Sequence, residues 1–197
     1  MPEDIDWDEY NAAQWGRKAR ESLTHALTAA GTDGTGRVAV DLGCGEGVEV
    51  AALLDAGWTV YAVDGEAGPL RRLAERTARD RRLHTLHRPF AALDTLPPAD
   101  LIHSSYALPY CPPEHFGHVW SAVRNALRPG GVLAVQLFGP HDSMADDPAV
   151  SIHTADEARA LLAGLEVVSW TEEDADGDSY CGPTHWHVFH VIARRPA

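Results

Sequence analysis

The sequence has few cysteines and few basic residues, and each shortage excludes a class of protein. The three cysteines, Cys44, Cys111 and Cys181, are odd in number and lack C-x-x-C spacing. This pattern argues against a disulfide framework and against a structural zinc site. Sixteen basic residues against 29 acidic ones leave a formal charge of −13. Because phosphate backbones and anionic lipids repel such a surface, we expect neither nucleic acid nor membranes among the partners.

Long apolar runs are also missing. No run approaches the length needed to cross a bilayer, and the acidic start "MPEDIDWDEY" lacks the apolar region of a secretory signal. We therefore expect a cytoplasmic protein. A hydrophobic fraction of 45% and a charged fraction of 23% are typical of globular chains. Since no internal repeat or low-complexity linker interrupts the sequence, we expect one domain over residues 1–197.

Short apolar segments alternate with amphipathic ones after residue 36. The predicted strands are "RVAVDL", "WTVYAVD", "LHTLH", "DLIHSSY" and "GVLAVQLF", with helices between most of them. This alternation predicts an α/β fold, with a mostly parallel sheet and helices on both faces. Residues 139–153 are predicted to form a loop and residues 154–163 a short helix. Two further strands, "LEVVSWTE" and "HWHVFHVIARR", joined by the acidic segment "EDADGDSYCGPT", predict a hairpin whose last strand is antiparallel.

Three glycines follow the first predicted strand, in "VAVDLGCGEG". A glycine-rich turn between a strand and a helix lets the backbone approach a nucleotide-like ligand. The spacing is G-x-G-x-G rather than the G-x-G-x-x-G of dinucleotide sites, and Asp41 suits a ligand with an ammonium group better than a pyrophosphate. Asp64, in "VYAVDG", is placed to accept hydrogen bonds from ribose hydroxyls. The pattern predicts a ligand with a ribose, no diphosphate and a positive end, and S-adenosylmethionine has all three features.

The segments "VAVDLGCGEG", "VYAVDG" and "LRPGGVLAVQLFG" resemble the class I S-adenosylmethionine-dependent methyltransferases over roughly residues 38–195. The compact layout is similar to the small-molecule branch that includes the tellurite-resistance methyltransferases. The resemblance implies a Rossmann-like, doubly wound sheet of seven strands and S-adenosylmethionine as the cofactor. Residues 1–36 would form an N-terminal helical lid, with a single helix expected over residues 8–30. Residues 37–197 would form the core that binds the cofactor.

The resemblance also implies which residues surround the cofactor. They are Tyr10, Trp15, Asp41, Gly43, Cys44, Gly45, Asp64, Gly65, Glu66, Phe90, Ala91, Ser104 and Ser105. Asp41 would hold the amino group, Asp64 the ribose, and the two serines would face the sulfonium. An acidic residue that often contacts the adenine amino group is replaced here by "RPFAAL". Tyr10 and Trp15 would close the lid, where an aromatic face near a sulfonium gains about 0.5–2 kcal/mol; for Trp15, plain helix packing is an alternative.

Candidate catalytic residues follow from the antiparallel last strand, which brings "THWH" to the carboxyl edge of the sheet. Open α/β sheets bind their ligands at this edge. Strand alternation places His185 and His187 on one face, and a histidine can act as a base near neutral pH. Tyr106, after the fourth strand, would shape the acceptor site. The two histidines could instead share a metal ion, but the sequence shows no obvious ligand to complete the shell, so we expect no metal site.

The absence of a large insertion bears on the substrate. Residues 139–153 are the longest loop that could cap the site, which favours a small acceptor. We expect methyl transfer by in-line displacement to a small molecule, with oxygen or nitrogen acceptors preferred and sulfur, selenium or tellurium also compatible, giving S-adenosylhomocysteine. Two alternatives stay open: another reaction that uses S-adenosylmethionine, such as cyclisation, and a non-catalytic binding module. The G-x-G-x-G spacing disfavours a nicotinamide dehydrogenase.

Overall fold

The computed structural model describes residues 6–78 and 80–197. The helices are α1 Trp7–Gln14, α2 Glu21–Ala30, α3 Val48–Asp55, α4 Ala67–Arg76, α5 Pro113–Ala126 and α6 Ala155–Leu161. The strands are β1 Val38–Leu42, β2 Thr59–Asp64, β3 Leu83–His87, β4 Ala99–Ser104, β5 Leu127–Phe138, β6 Glu166–Ser179 and β7 Gly182–Arg194. Two 3₁₀ turns, Phe90–Ala92 and Leu108–Tyr110, follow β3 and β4. In the described ranges, no helix is both long and apolar enough to cross a bilayer.

All seven strands form one sheet in the order β3-β2-β1-β4-β5-β7-β6. Strands β1 to β5 pair in parallel, while β7 runs antiparallel to both β5 and β6. The prediction of a Rossmann-like, mostly parallel sheet of seven strands with an antiparallel last strand is confirmed. Strand order reverses between β1 and β4. Such a switch point leaves a crevice at the carboxyl ends of the strands, where open α/β sheets bind ligands.

Helices cover both faces of the sheet. Helices α2, α3 and α4 pack on one face against residues such as Ala39 and Val60. Helices α5 and α6 pack on the other face against residues such as Val40 and Leu133. Successive strand residues point to opposite faces, so a strand with two covered faces must be apolar at nearly every position. This requirement explains why short strand segments such as "VAVDL" and "GVLAVQLF" are apolar at nearly every position.

The N-terminal region differs from the single helix expected over residues 8–30, because two helices form there. Helix α1 begins at Asp6, whose carboxylate accepts hydrogen bonds from the backbone of Asp8 and Glu9. The chain then breaks at Gly16, which has a φ of +88°. A left-handed conformation of this kind costs glycine little and ends a helix. The break lets α1 lie across the carboxyl edge of the sheet instead of continuing along its face.

The C-terminal hairpin is longer than expected. The acidic segment continues β6 up to Ser179, and only residues 180–181 separate it from β7. The acidic segment forms a strand because its residues pair across the hairpin, where Asp174 and Asp176 stand opposite His187 and His185. Strand β5 pairs with β7 only as far as Val188. The hairpin therefore projects past the carboxyl edge and forms a wall beside the crevice.

Candidate functional site

Two adjoining cavities occupy the crevice at the carboxyl edge. The larger measures about 740 Å³ and the smaller about 50 Å³. Their shared lining consists of Tyr10, Asn11, Gln14, Arg20, Gly43 and Ser105. A volume of this size lies within the roughly 300–1,000 Å³ of small-molecule sites. The space can therefore hold a cofactor and a small second ligand, but not a folded partner.

The glycine turn after β1 forms the floor of both cavities. Gly43 and Gly45 have φ values of +76° and +48°. A Cβ on Gly43 would overlap the side chain of Ala107, and a Cβ on Gly45 would lie 2.5 Å from Oδ1 of Asn11. The turn is fixed by hydrogen bonds from the backbone N–H groups of Gly43 and Cys44 to the carbonyl of Val63, at 2.8 and 3.0 Å. Glycine is therefore required both by the backbone conformation and by the close approach of neighbouring segments.

Cys44 lines the smaller cavity but is not an activated nucleophile. Its side chain is buried, and burial raises the pKa of the Cys44 thiol well above its usual range. The nearby carboxylates of Asp64 and Asp41 raise that pKa further. Since the thiolate is the reactive form of cysteine, this thiol stays protonated and fills space beside the turn.

Asp41 presents an unpaired oxygen to the smaller cavity. Its Oδ1 accepts a hydrogen bond of 2.8 Å from Nδ1 of His103, whose Nε2 lies 3.1 Å from Oγ of Ser22. Its Oδ2 is buried and has no hydrogen-bond partner among the described residues. Burial raises the pKa of Asp41, against the hydrogen bond from His103, which lowers it. Because an unsatisfied buried acceptor costs about 1–3 kcal/mol, a cationic ligand group at this oxygen would be stabilised.

Asp64 borders the larger cavity at the end of β2. Its Oδ2 accepts a hydrogen bond from the backbone of Gly45 at 2.7 Å, and its Oδ1 accepts one from the backbone of Glu66 at 2.8 Å. Burial raises the pKa of this carboxyl group, and the backbone hydrogen bonds oppose that rise. Gly65 and Glu66 line the same cavity, as do Phe90 and Ala91 from the 3₁₀ turn after β3. All five residues predicted beside the adenosine thus border one space.

Helix α1 covers the cavity with one face. Trp7, Tyr10, Asn11 and Gln14 line the larger space, at the i, i+3, i+4, i+7 spacing that puts four side chains on one side of a helix. The ring of Trp7 lies 4.9 Å from that of Tyr110. The ring of Tyr10 lies 5.3 Å from that of Tyr180, at the tip of the hairpin. Sequence reasoning missed Asn11 and Gln14, although the helical spacing was visible in "DWDEYNAAQ".

One part of the lining of the larger cavity is aromatic. Tyr106, Tyr110 and Trp186 form it, together with Met144 from loop 139–153. Tyr106 has a φ of +53°, its backbone N–H donates to the side chain of Gln136, and its ring lies 5.6 Å from Trp186. The guanidinium of Arg20 lies 5.0 Å from the centre of the Tyr106 ring. Burial raises the pKa of Tyr106 and that of Tyr110, so both hydroxyls stay protonated at neutral pH.

Two residues predicted to contact the cofactor lie elsewhere. Ser104 is fully buried, and its hydroxyl donates to the carbonyl of Leu42 at 2.8 Å. Ser105, the next residue along the chain, lines both cavities instead, with a buried Oγ that lacks a partner among the described residues. Trp15 is 45% exposed and stacks on the guanidinium of Arg76 at 4.1 Å. It lies outside the cavities because the chain leaves helical geometry at this residue.

The two histidines predicted as bases also lie outside both cavities. Alternation along β7 does separate them from Trp186, but Thr184 and Trp186 are the residues that line the larger space. His185 pairs with Asp174 and Asp176 at 2.7 Å each. His187 is buried, and its Nε2 lies 3.1 Å from the carboxylate of Glu172. The prediction was wrong about which face of β7 turns inward, because the packing of Trp186 against Tyr106 and Phe138 selects the opposite face.

Comparison with known proteins agrees with this geometry. Residues 40–133 match the family model described as a methyltransferase domain. TehB from Haemophilus influenzae is 14% identical with a TM-score of 0.78, over 96% of this chain and 67% of that protein. A second neighbour is the 1,6-didemethyltoxoflavin-N1-methyltransferase of Burkholderia thailandensis, crystallised with 1,6-didemethyltoxoflavin and S-adenosylhomocysteine. It is 22% identical with a TM-score of 0.69, over 95% of this chain and 84% of that protein. A third is the N-methyltransferase NodS from Bradyrhizobium japonicum WM9, crystallised with S-adenosylhomocysteine. It is 16% identical with a TM-score of 0.70, over 99% of this chain and 90% of that protein.

No curated protein sequence matches the chain significantly. The matched segment nevertheless runs from β1 to β5 and contains the glycine turn, Asp64 and both sides of the switch point. The sheet that surrounds it has the strand order and the antiparallel β7 described above. The methyltransferase-domain match over residues 40–133 and the shared fold together support a class I S-adenosylmethionine-dependent methyltransferase.

Proposed function

We propose that the protein transfers a methyl group from S-adenosylmethionine to a small-molecule acceptor and releases S-adenosylhomocysteine. One observation carries the proposal. The glycine turn, the unpaired oxygen of Asp41 and the carboxylate of Asp64 all border the same adjoining cavities, whose total volume suits two small ligands. The neighbours crystallised with S-adenosylhomocysteine support the choice of cofactor.

The chain's own groups match the chemistry of this cofactor. Oδ2 of Asp41 would accept a hydrogen bond from the α-ammonium group, which would satisfy a buried oxygen that has no partner within residues 6–78 and 80–197. Arg20 lines both cavities and brings the opposite charge, which suits the α-carboxylate. Asp64 would accept hydrogen bonds from the ribose, and Phe90 would pack beside the adenine.

When bound, S-adenosylmethionine supplies a methyl group activated by its positively charged sulfur. The protein's task is then to align the acceptor and to exclude water. Helix α1 and the hairpin tip meet through Tyr10 and Tyr180, which both line the larger cavity. We propose that α1 acts as the lid, a smaller segment than residues 1–36, because α2 packs on the face of the sheet. Aromatic faces such as Tyr10 and Tyr106 would favour a cation beside them, by about 0.5–2 kcal/mol.

The residues that line the larger cavity also limit which acceptor atoms can react. Within residues 6–78 and 80–197, the lining contains no histidine. Tyr106 and Tyr110 can donate hydrogen bonds but cannot act as bases near neutral pH, because burial raises the pKa of both phenols. We therefore propose an acceptor atom that carries a free lone pair at neutral pH, such as a ring nitrogen or a thiolate. A hydroxyl acceptor would have to be acidic enough to ionise without help.

The aromatic wall favours an acceptor with a flat apolar body. Trp7, Tyr110 and Trp186 line the larger cavity only, whereas Gly45 and Gly47 line the smaller one. Rings of this kind give large contact areas to planar ligands at small entropic cost. The bound 1,6-didemethyltoxoflavin of the Burkholderia thailandensis N1-methyltransferase supports a small nitrogen acceptor.

The test is calorimetric titration of S-adenosylmethionine and S-adenosylhomocysteine into the native protein and an Asp64→Asn variant. We expect micromolar binding to the native protein and a loss of at least about tenfold in the variant, equivalent to roughly 1.4 kcal/mol. Asp94→Asn, which alters a carboxylate that is 83% exposed and pairs with His118, should bind like the native protein.

Turnover distinguishes the alternatives. Methyl-labelled cofactor, incubated with panels of ring-nitrogen and thiol acceptors, should yield labelled product and S-adenosylhomocysteine. Formation of methylthioadenosine would instead support cyclisation or related chemistry, and binding without turnover of any acceptor would support a non-catalytic module. Failure of both cofactor forms to bind the native protein would contradict the proposal.

A further inference from the structure

Three side chains from three separate segments converge on the face of the hairpin that points away from the cavity. They are His141 from loop 139–153, Asp174 from β6 and His187 from β7, and one ligand atom of each lies within 4.8 Å of the other two. Nδ1 of His141 lies 2.9 Å from Oδ2 of Asp174. The rings of His141 and His187 are stacked, with centroids 4.7 Å apart.

Backbone contacts hold this cluster together. Asp174 stands directly opposite His187 in the hairpin register. The backbone N–H of His141 donates to Nδ1 of His187 at 3.0 Å, and the backbone N–H of Gly139 donates to the carbonyl of His187 at 2.6 Å. A Cβ on Gly139 would lie 2.5 Å from the His187 ring. These contacts hold loop 139–153 against β7 and place the two imidazole rings side by side.

Outer partners surround the same three residues. The second carboxylate oxygen of Asp174 lies 2.7 Å from Nε2 of His185, and Nε2 of His187 lies 3.1 Å from Oε1 of Glu172. Groups that hydrogen-bond to ligand residues and orient them are typical of metal sites.

We propose that His141, Asp174 and His187 bind one divalent transition-metal ion, of the class represented by Zn²⁺, Ni²⁺ and Co²⁺. Two imidazoles and one carboxylate suit these ions, whereas Mg²⁺ and Ca²⁺ prefer oxygen ligands. Bonds of about 2.0–2.2 Å in a tetrahedral site place neighbouring ligand atoms roughly 3.4 Å apart. The exposed His141 side chain can rotate to reach this spacing. At His187 the ion would replace the hydrogen bond that Nδ1 accepts from the backbone N–H of His141, while Nε2–H would donate to Glu172. Water would occupy the fourth position.

The site bears on the cavity without belonging to it. His187 alternates along β7 with Trp186, which lines the larger cavity, and the loop that carries His141 also supplies Met144 to that lining. An ion at the cluster would tie this loop to the hairpin and so hold one wall of the cavity in place. The inference stands independently of the proposed methyl transfer. It revises the expectation of no metal site, which rested on the lack of an obvious third ligand in the sequence; His141 and Asp174 lie 33 residues apart.

The test uses untagged full-length protein, dialysed first against a chelator and then titrated with Zn²⁺, Ni²⁺ and Mg²⁺. We expect one equivalent of Zn²⁺ or Ni²⁺ with micromolar affinity or better and a rise in melting temperature on Zn²⁺ addition. Mg²⁺ should bind at least about a hundredfold more weakly. His141→Gln and Asp174→Asn should each weaken Zn²⁺ binding at least about tenfold. His118→Gln, at a solvent-exposed His–Asp pair on α5, is the matched control and should leave binding unchanged.

The side chain of His141 is 65% exposed, so its substitution is compatible with folding, and melting curves without metal will check this. Cobalt(II) absorption spectra of the native protein give a second readout, because inner coordination by imidazole changes the ligand-field bands. Absence of saturable Zn²⁺ and Ni²⁺ binding would overturn the proposal. Binding that is undiminished in both variants, or equally tight binding of Mg²⁺, would overturn it as well.

Discussion

The two ends of the cavity are built in different ways. The end that carries Asp41, Gly43 and Asp64 is made of strand termini and of one turn fixed by backbone hydrogen bonds. The other end is made of three separate segments, namely α1, the 3₁₀ turn after β4 and the hairpin tip. Helix α1 meets the 3₁₀ turn through the edge-to-face rings of Trp7 and Tyr110, and it meets the hairpin tip through those of Tyr10 and Tyr180. The end proposed for the cofactor is therefore held by backbone hydrogen bonds, while the end proposed for the acceptor depends on contacts between distant parts of the chain.

This difference separates two kinds of specificity. A pocket made of backbone and sheet termini is fixed by the fold itself and suits a ligand that a whole family shares. A pocket made of docked side chains can change without disturbing the sheet, which is how one fold accommodates many substrates. Substitutions at the two ends should accordingly have different signatures in stability, cofactor affinity and acceptor affinity.

The largest effect is expected from Gly43→Ala, at the cofactor end. The new Cβ would overlap the side chain of Ala107 and would require a φ of +76°. We expect a loss of at least about 2 kcal/mol in the free energy of unfolding, measured with urea, and no detectable cofactor binding by calorimetry. Gly36 has a similar φ of +74°, but no atom of the described residues lies within 4 Å of an added Cβ. Gly36→Ala should therefore lose only about 1 kcal/mol in the free energy of unfolding and keep the native cofactor affinity. Equal behaviour of the two variants would show that the close approach is unimportant.

An intermediate effect is expected from Arg17→Gln, which releases the segment that joins α1 to the core. Arg17 donates two hydrogen bonds, of 2.6 and 2.7 Å, to the carboxylate of Glu49, whose side chain is only 5% exposed. Removing the guanidinium leaves a buried charge without its main partner, so we expect a loss of about 2 kcal/mol in the free energy of unfolding at pH 7. Arg128→Gln breaks a more exposed pair with Asp100 and should lose less than about 1 kcal/mol.

The same pair has a pH signature. Burial raises the pKa of Glu49, but the hydrogen bonds from Arg17 outweigh it and hold that pKa below 4.5, its value in an unfolded chain. A pKa lowered by folding contributes stability that is present above the unfolded pKa and is lost as pH falls through the folded one. The difference in unfolding free energy between the native protein and Arg17→Gln should therefore shrink as pH falls below about 4.5. A difference that stays constant down to pH 2 would contradict this explanation.

The smallest effect is expected from Tyr180→Ala, at the acceptor end. Tyr180 is 51% exposed, and its ring meets that of Tyr10 above the cavity. Loss of one aromatic pair, about 0.5–1.5 kcal/mol, should raise the KM for an acceptor roughly 2- to 12-fold and change cofactor affinity less than about twofold. Steady-state kinetics and calorimetry measure the two quantities. Val168→Ala, at another exposed hairpin residue, should change neither, and an equal loss of cofactor and acceptor affinity in Tyr180→Ala would erase the distinction between the two ends.

Local patterns were sufficient to predict the sheet and most of the cofactor end. Apolar strands alternating with helices predicted the parallel sheet, and the acidic connection before "HWHVFHVIARR" predicted the antiparallel β7. Asp41 and Asp64 were identifiable because Asp64 ends β2 and Asp41 is the last residue but one of β1, and parallel strands bring such residues to one edge. The place of the glycine turn was also visible locally, from three glycines between a strand and a helix, although hydrogen bonds to Val63 hold the turn in its conformation.

The errors arose where the direction of a side chain depended on distant residues. Ser104 and Ser105 were both predicted to face the sulfonium, but a strand turns neighbouring side chains to opposite sides, and only Ser105 lines the cavities. The alternation along β7 was read correctly, yet it does not say which face turns inward. That choice depends on Trp186 packing against Tyr106, eighty residues earlier in the chain.

By itself, the sequence determined the strand and helix order, the place of the glycine turn and the carboxylates at the strand ends. These features follow from hydrophobic periodicity and backbone conformation, which act over a few neighbouring residues. Only the tertiary structure decided that α1 folds back over the cavity, that His185 and His187 face away from it, and that His141 joins Asp174. Each of these depends on contacts between segments far apart in the chain, whose free energies are settled by packing and register rather than by local preference.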